Sequence, residues 1–331
     1  MKLKICAAMV LALLAGQAAA DEKIRIGVVG VTAYAPIYVA QEKAYFAAAG
    51  VPAELVYFDA AAPVAVAAVS GDIDVGVAAV TAAFYNLAGQ GELKLIAGAA
   101  HEEPGFQIQA FLASRQAYES GLKSIKDIGG RRFGVTTKGA PPIYVVGGIL
   151  APKYGFDFKS IEVLSLQTIP NINTALTGGK ADFTSVSMTP GMTALIERGD
   201  IRQIAWTGDV APWQFGIVFT GARTADARSD AIKRFLTAYR KGSKAYHDAV
   251  TDAQGKRKDG PDAEAMVQIL AKYTKQSVAE AKLGIPYVDA EGRIDVKDIE
   301  RQIAFYKSQG LVKPEADTSA MLDKRYIVAL P

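Results

Sequence analysis

The sequence predicts an α/β protein made of two similar lobes, each a mostly parallel sheet flanked by helices. Three observations carry this. Residues 24–51 and 131–156 share one plan: a β-branched strand, a loop of small and hydroxylic residues, a helix opening at proline, and a closing Gly50 or Gly155. The tetrapeptide Pro36-Ile37-Tyr38-Val39 recurs as Pro142-Ile143-Tyr144-Val145. The echo then continues at nearly constant spacing: Pro63 with Pro170, Gly71-x-x-Asp74 with Gly179-x-x-Asp182, Thr81 with Thr189, and the run from Gly91 with the run from Gly199. Periodicity of helix-start prolines and strand-start glycines is a fold-level signal.

The first lobe reads as strand 24–29, helix 36–48, strand 53–58, helix 63–70, strand 73–79, helix 82–89 and strand 93–98. Strands alternating with helices of this length imply parallel βαβ units with right-handed crossovers. The alternating stretch 106–112 suits a half-exposed strand and is the expected first passage between lobes. Residues 122–135 lead into the second lobe, with strands near 132–136, 161–166, 183–187 and 202–206, and 214–220 leaves it. The remainder is helical. One helix, N-capped by Ser229, presents Ile232, Phe235, Leu236, Tyr239 and Tyr246; a second presents Met266, Ile269, Leu270 and Tyr273; a third presents Ile299, Ile303 and Tyr306 and stops at Gly310. These faces either form a third, all-helical domain or return to the first lobe, and two passages between lobes favour the return. The expected division is a leader 1–20, a discontinuous first lobe of 21–112 plus 215–331, and a second lobe of 113–214.

At 331 residues, half of them hydrophobic, the chain can fill two domains. Lys2 and Lys4, the apolar run from Ile5 and the small residues Ala18-Ala19-Ala20 read as a secretory signal cleaved before Asp21, too short to span a bilayer. The single cysteine, Cys6, would leave with it, so the mature chain enters an oxidising compartment without disulfide chemistry. Loss of Lys2 and Lys4 takes the 37 basic residues to 35, against 34 acidic ones. Near-neutral charge gives no support for a nucleic-acid partner, which calls for a clustered basic face; Lys256-Arg257-Lys258 runs straight into Asp259-Gly260-Pro261 and reads as a solvated loop.

The residue patterns of nucleophilic, phosphate-cradling, dinucleotide and zinc sites are absent, and His101 and His247 are the only histidines. The expectation is a protein with no catalytic residues, metal or cofactor. In open parallel sheets ligands bind beyond the carboxyl ends of the strands, where helix N-termini offer unpaired N–H groups and favour anions. The candidate ligand residues are therefore those of the strand-to-helix loops: Thr32 and Tyr34, Thr81, the loop Thr136-Thr137-Lys138-Gly139-Ala140, and Ser187 with Thr189. Phe58 and Trp213 are candidate pocket walls, and His101 stands at the expected cleft edge. Lys138 is the one cation in these loops and is expected to read a ligand's charge.

The segments "APIYVAQEKAYFAAAGV", "SGDIDVGVAAV", "SIKDIGGRRFGV" and "AFYKSQGLV", in this order behind a leader, resemble the periplasmic substrate-binding proteins of ABC importers, specifically the nitrate/sulfonate/taurine-type family that includes thiamine pyrimidine precursor binders. The resemblance implies a type II two-lobe clamshell with two hinge strands, a periplasmic location, a small organic anion such as a sulfonate or carboxylate, with room for an aromatic part, as ligand, and delivery to permease subunits by a monomer. The pyrimidine-precursor branch tends to carry Trp-x-Pro-Asn after its first strand, where this chain has Val29-Gly30-Val31-Thr32. Two rivals share the fold: a pyrimidine-forming enzyme, and a binding protein that reports to a sensor.

Overall fold

The computed structural model describes residues 23–331; the segment read as a leader, with Cys6, lies outside them. The chain opens with β1 (Ile24–Val29), α1 (Ala35–Glu42), β2 (Ala53–Phe58), α2 (Ala61–Ser70), β3 (Val75–Ala79), α3 (Ala82–Gly89) and β4 (Leu93–Gly98). Ile24, Ile26 and Val28 of β1 and Val75 and Val77 of β3 are fully buried, and the intervening Gly27 and Gly76 on the other face are buried too, as expected of strands covered on both faces. The helix read as 36–48 is broken: α1 ends at Glu42, and Ala44 takes a left-handed conformation (φ 54°) before a short helix at Tyr45–Ala48.

The chain then passes through β5 (Ala100–Glu102) into β6 (Gln109–Ser114), β7 (Arg132–Val135), α4 (Pro141–Tyr144), β8 (Glu162–Ser165), α5 (Ile169–Thr177), β9 (Phe183–Ser187), α6 (Pro190–Glu197) and β10 (Ile201–Trp206), and returns by β11 (Trp213–Gln214) to β12 (Gly216–Gly221). One five-stranded sheet has the order β2-β1-β3-β12-β4, the other β10-β6-β9-β7-β8. Read from β8, the second repeats the first, with β6 in the place of β12. In each sheet the strand contributed by a passage is antiparallel to its neighbours while β1 with β2 and β3, and β7 with β8 and β9, run parallel. Because β6 pairs with β9 and β10, the chain has already joined the second sheet at Gln109.

The passages run side by side. In a separate three-stranded sheet, β5 pairs antiparallel with β11 on one edge and with β13 (Tyr287–Val288) on the other. The C-terminal helices α7 (Ser229–Val250), α8 (Pro261–Thr274) and α9 (Val296–Ser308) follow. α7 and α8 pack on α1, and Phe235 of α7 stacks on Phe46, so their apolar faces cover lobe one.

α9 lies where the lobes meet. The buried Asp298 accepts hydrogen bonds from the Gln214 N–H at 2.9 Å, the Gln302 amide at 2.8 Å and the Tyr144 hydroxyl of α4 at 2.7 Å. Beyond α4 the backbone continues through a π-helical stretch, Val145–Leu150. There Gly147 lets the Phe305 ring approach so closely that a Cβ would lie 2.6 Å from it.

The repeated Gly-x-x-Asp has a shared structural role. Asp74 accepts from the backbone N–H and Nε of Arg25 at 2.8 and 3.2 Å, and Asp182 from those of Arg132 at 2.8 and 3.1 Å. Each aspartate thereby pins the start of β1 or β7 to the turn that leads into its neighbour, β3 or β9. Burial raises both carboxyls, but the arginine bonds outweigh it and hold each below its ordinary value. A depressed folded pKa gives stability that is present above the unfolded value and lost as pH falls through the folded one. Asp182→Asn should cost about 1–3 kcal/mol at neutral pH, and its deficit against the parent should shrink towards about pH 2 in urea unfolding. A deficit of the same size at both ends would contradict the assignment.

Candidate functional site

The carboxyl ends of the parallel strands in both sheets face one another across a cavity of about 180 Å³. Lobe one supplies Val29, Val31, Tyr34, Ala60, Ala61, Ala79 and Phe215, with Asp59 exposed beside them. The Tyr34 hydroxyl accepts from the Ala79 N–H at 2.9 Å. Burial pushes that phenol far above its ordinary value, so it stays neutral and its proton remains free to donate. Lobe two contributes Gln109, Thr136, Ser185, Ser187 and Thr189 together with Val135, Pro141, Pro142, Ile169 and Ile172. Ser185 and Ser187 sit two apart on β9 and so share a face of the strand. The cavity wall is thus mostly apolar on both sides; lobe two carries most of its polar groups, and lobe one adds the Tyr34 hydroxyl and the Asp59 carboxylate. Among its described lining residues there is no Lys, Arg or His.

Four of the expected ligand residues meet here: Tyr34, Thr136, Ser187 and Thr189. The other seven lie elsewhere. Thr32 is buried against Gly284, and Phe58 is half-buried over Gly27. Thr81 caps α3 by accepting the Phe84 N–H at 3.1 Å, and the next N–H of that helix, from Ala82, donates to the Gly139 carbonyl of lobe two at 3.0 Å. That helix start is occupied by protein. Thr189, its counterpart, caps α6 through Met192 and does line the cavity. Thr137 is exposed beyond the rim, and Lys138 points away into a shallow outer groove with Ile143, Phe158, Gln309 and Leu311. Trp213 is buried between Tyr144 and Phe215, and of the two it is Phe215 that reaches the cavity. His101 is buried in β5, opposite Gln214 and Tyr287.

Sequence reasoning missed Gln109, Ser185 and Phe215. Gln109 and Phe215 belong to the passages rather than to strand-to-helix loops, and only the register of β6 and β12 brings them to the cavity. Ser185 was legible as an inward position two residues before Ser187.

The lobes also touch beyond the hinge sheet. Tyr306 donates to the Ala140 carbonyl at 3.1 Å, and the Gln276 amide to that of Met188 at 3.4 Å. Among the described residues no cluster of three or more His, Cys, Asp or Glu could hold a metal, and no helix is long and apolar enough to cross a membrane.

The model of the NMT1/THI5-like family matches residues 31–276. The chain belongs to that family. No curated protein matches it. Among solved structures, this family member is similar to the alkanesulfonate-binding protein SsuA of Xanthomonas axonopodis pv. citri bound to MOPS, at 19% identity and a TM-score of 0.68 over 91% of this chain and 98% of that one. It is similar to the periplasmic aliphatic sulphonate binding protein SsuA of Escherichia coli at 16% identity and a TM-score of 0.67, over 94% of each chain. The periplasmic nitrate-binding protein NrtA of Synechocystis PCC 6803 matches at 14% identity and a TM-score of 0.65, over 92% of this chain and 87% of that one. The fold is therefore the two-lobe periplasmic binding protein fold.

In the family member, the three-stranded sheet holds two buried titratable groups. Glu102 in β5 is fully buried, with Oε1 accepting the Gln109 N–H at 2.9 Å. Burial drives its carboxyl well above the ordinary range, the N–H groups of Gln109, Ile108 and Gly208 pull it back in part, and Asp209 adds to the rise. Its neighbour His101 is pushed down by burial, against the nearby Asp295, Asp289 and Asp298. The signs are opposite to those of Asp74 and Asp182. A carboxyl raised on folding costs stability as pH climbs above its unfolded value, and a histidine lowered on folding costs stability as pH drops below its own. Glu102→Gln should therefore gain on the parent as pH climbs from about 5 towards neutrality, by at most about 1.4 kcal/mol per pH unit. Thermal unfolding across that range checks it; parallel curves would refute it.

Proposed function

We propose that the protein is a periplasmic solute-binding protein, secreted through a cleavable leader, that captures a small organic anion between its lobes and delivers it as a monomer to an ABC permease, without covalent chemistry. The carrying observation is the cavity at the facing strand ends, with hydroxyls and an amide on lobe two and, on lobe one, walls that are apolar apart from the Tyr34 hydroxyl and Asp59 at the edge. It suits a carboxylate or sulfonate head on an apolar body with room for an aromatic ring. A head whose charge is shared over several oxygens can be met by neutral donors: the hydroxyls of Thr136, Ser187 and Thr189 and the Gly191 N–H at the start of α6. The cation-free lining also favours a second reading, a neutral pyrimidine-like heterocycle.

The moving bodies we assign are lobe one, to about residue 108 and again from about 215, and lobe two between them. A ligand touching both binds the closed form better and shifts the equilibrium by that difference alone.

A thermal-shift screen of carboxylates, sulfonates, nitrate and pyrimidines, followed by calorimetry on the hits, tests the reading. With an anionic hit, Thr189→Val and Ser187→Ala should each weaken binding about tenfold or more. Lys138→Ala should stay within about twofold. Tight binding that survives both hydroxyl losses and collapses in Lys138→Ala would move the site to the outer groove.

A further inference from the structure

β2 ends at Phe58, and Asp59 and Ala60 lead the chain along the cavity into α2. An aspartate at such a place ordinarily serves the helix behind it, by accepting the N–H groups of its first turn. Asp59 does not: Ala60 holds the N-cap position in an extended conformation, and α2 starts without a side-chain hydrogen bond. Among the described residues Asp59 has neither a hydrogen-bond nor an ion-pair partner, and it is exposed, so a molecule in the cavity can reach it. It is also the one charged residue among the described lining residues. The cavity wall is mostly apolar, so charges brought together there are screened less than in water. An anionic head held by the hydroxyls of Thr136, Ser187 and Thr189 meets no cation from the lining and shares the cavity with a like charge, which disfavours it. The balancing positive charge has to arrive with the ligand.

We propose that Asp59 is a specificity-determining residue that pairs with a positively charged group of the bound molecule, and that the ligand class is a small zwitterion, an organic acid carrying a protonated amine. This rests on the cavity being the ligand site for an acid head. The two lobes then read the two ends of one molecule. The hydroxyls of lobe two donate to the acid head, and the Asp59 carboxylate at the edge of lobe one accepts from the ammonium, a contact stronger than one between neutral groups. A plain acid of the same shape makes the first contact, forgoes the second and lies against the like charge of Asp59. Lobe one thereby discriminates by charge at the end of the ligand that lobe two does not touch.

The test is calorimetry on the mature chain at neutral pH, with probe pairs in which an ammonium replaces a methyl group: β-alanine against butyrate, taurine against propanesulfonate, and para-(aminomethyl)benzoate against para-ethylbenzoate. The parent should favour the ammonium member of at least one pair by about tenfold or more. Asp59→Asn, similar in shape but without the charge, should move the two members in opposite directions, weakening the zwitterion about tenfold and strengthening the plain acid about twofold or more. A merely structural effect would weaken both. Asp59→Glu keeps the charge and should keep the preference. Thermal unfolding of Asp59→Asn should match that of the parent, since the variant removes no contact among the described residues. Plain acids bound as well as the zwitterions, or a preference that survives in Asp59→Asn, overturn this inference alone. If no probe binds the parent, the reading of the cavity as the site of an acid falls and this inference with it.

Discussion

A buried carboxylate must be met by donors, and at Asp298 the donors come from parts of the chain far apart in sequence. Tyr144 belongs to the first helix of lobe two, Gln214 to the returning passage, and Gln302 to the C-terminal helix itself. Gln302 in turn accepts from Tyr85 of lobe one at 2.9 Å. Gln214 extends the network, donating its amide to the Ala100 and Gly216 carbonyls. Breaking one partner of such a buried set costs more than the set contributes as a whole, because the remaining groups stay desolvated. This network ties the three-stranded sheet, the C-terminal helix and the start of lobe two together, in an arrangement where the carboxyl ends of both sheets face each other.

Within that frame two nearly equivalent lobes do different work. The same threonine caps the third helix of each, yet Thr81 faces a helix start filled by the Gly139 carbonyl, while Thr189 faces open space. Lobe one presents Val29, Val31, Ala79 and Phe215 to the cavity, and lobe two presents most of the polar groups. In a binding cycle this asymmetry would let lobe two select the polar head, while lobe one closes an apolar wall and excludes water. Removing water strengthens the few hydrogen bonds left inside.

Much of the fold was legible because local chemistry and global topology agree. The Gly-x-x-Asp echo marks equivalent clasps on Arg25 and Arg132, and the helix-ending Gly50 and Gly155 both adopt left-handed conformations (φ 69° and 75°). The site was legible only in part. Strand-to-helix loops announce themselves by composition, and of the residues named from them Tyr34, Thr136, Ser187 and Thr189 line the cavity. Direction does not: Thr137 and Lys138 follow Thr136 immediately, but the turn into α4 carries them out over the rim. Gln109 opens a strand and Phe215 joins β11 to β12, and the register of these strands is set by distant pairing partners that no local pattern encodes.

The most direct test of the cavity as the ligand site is a crystal structure of the mature protein with a molecule it binds. The account predicts density between the lobes, the polar head against Thr136, Ser187 and Thr189, and the apolar body against Val31, Ala79 and Phe215. A ligand in the groove beside Lys138, or one lying in the cavity with its polar head on lobe one, would contradict it.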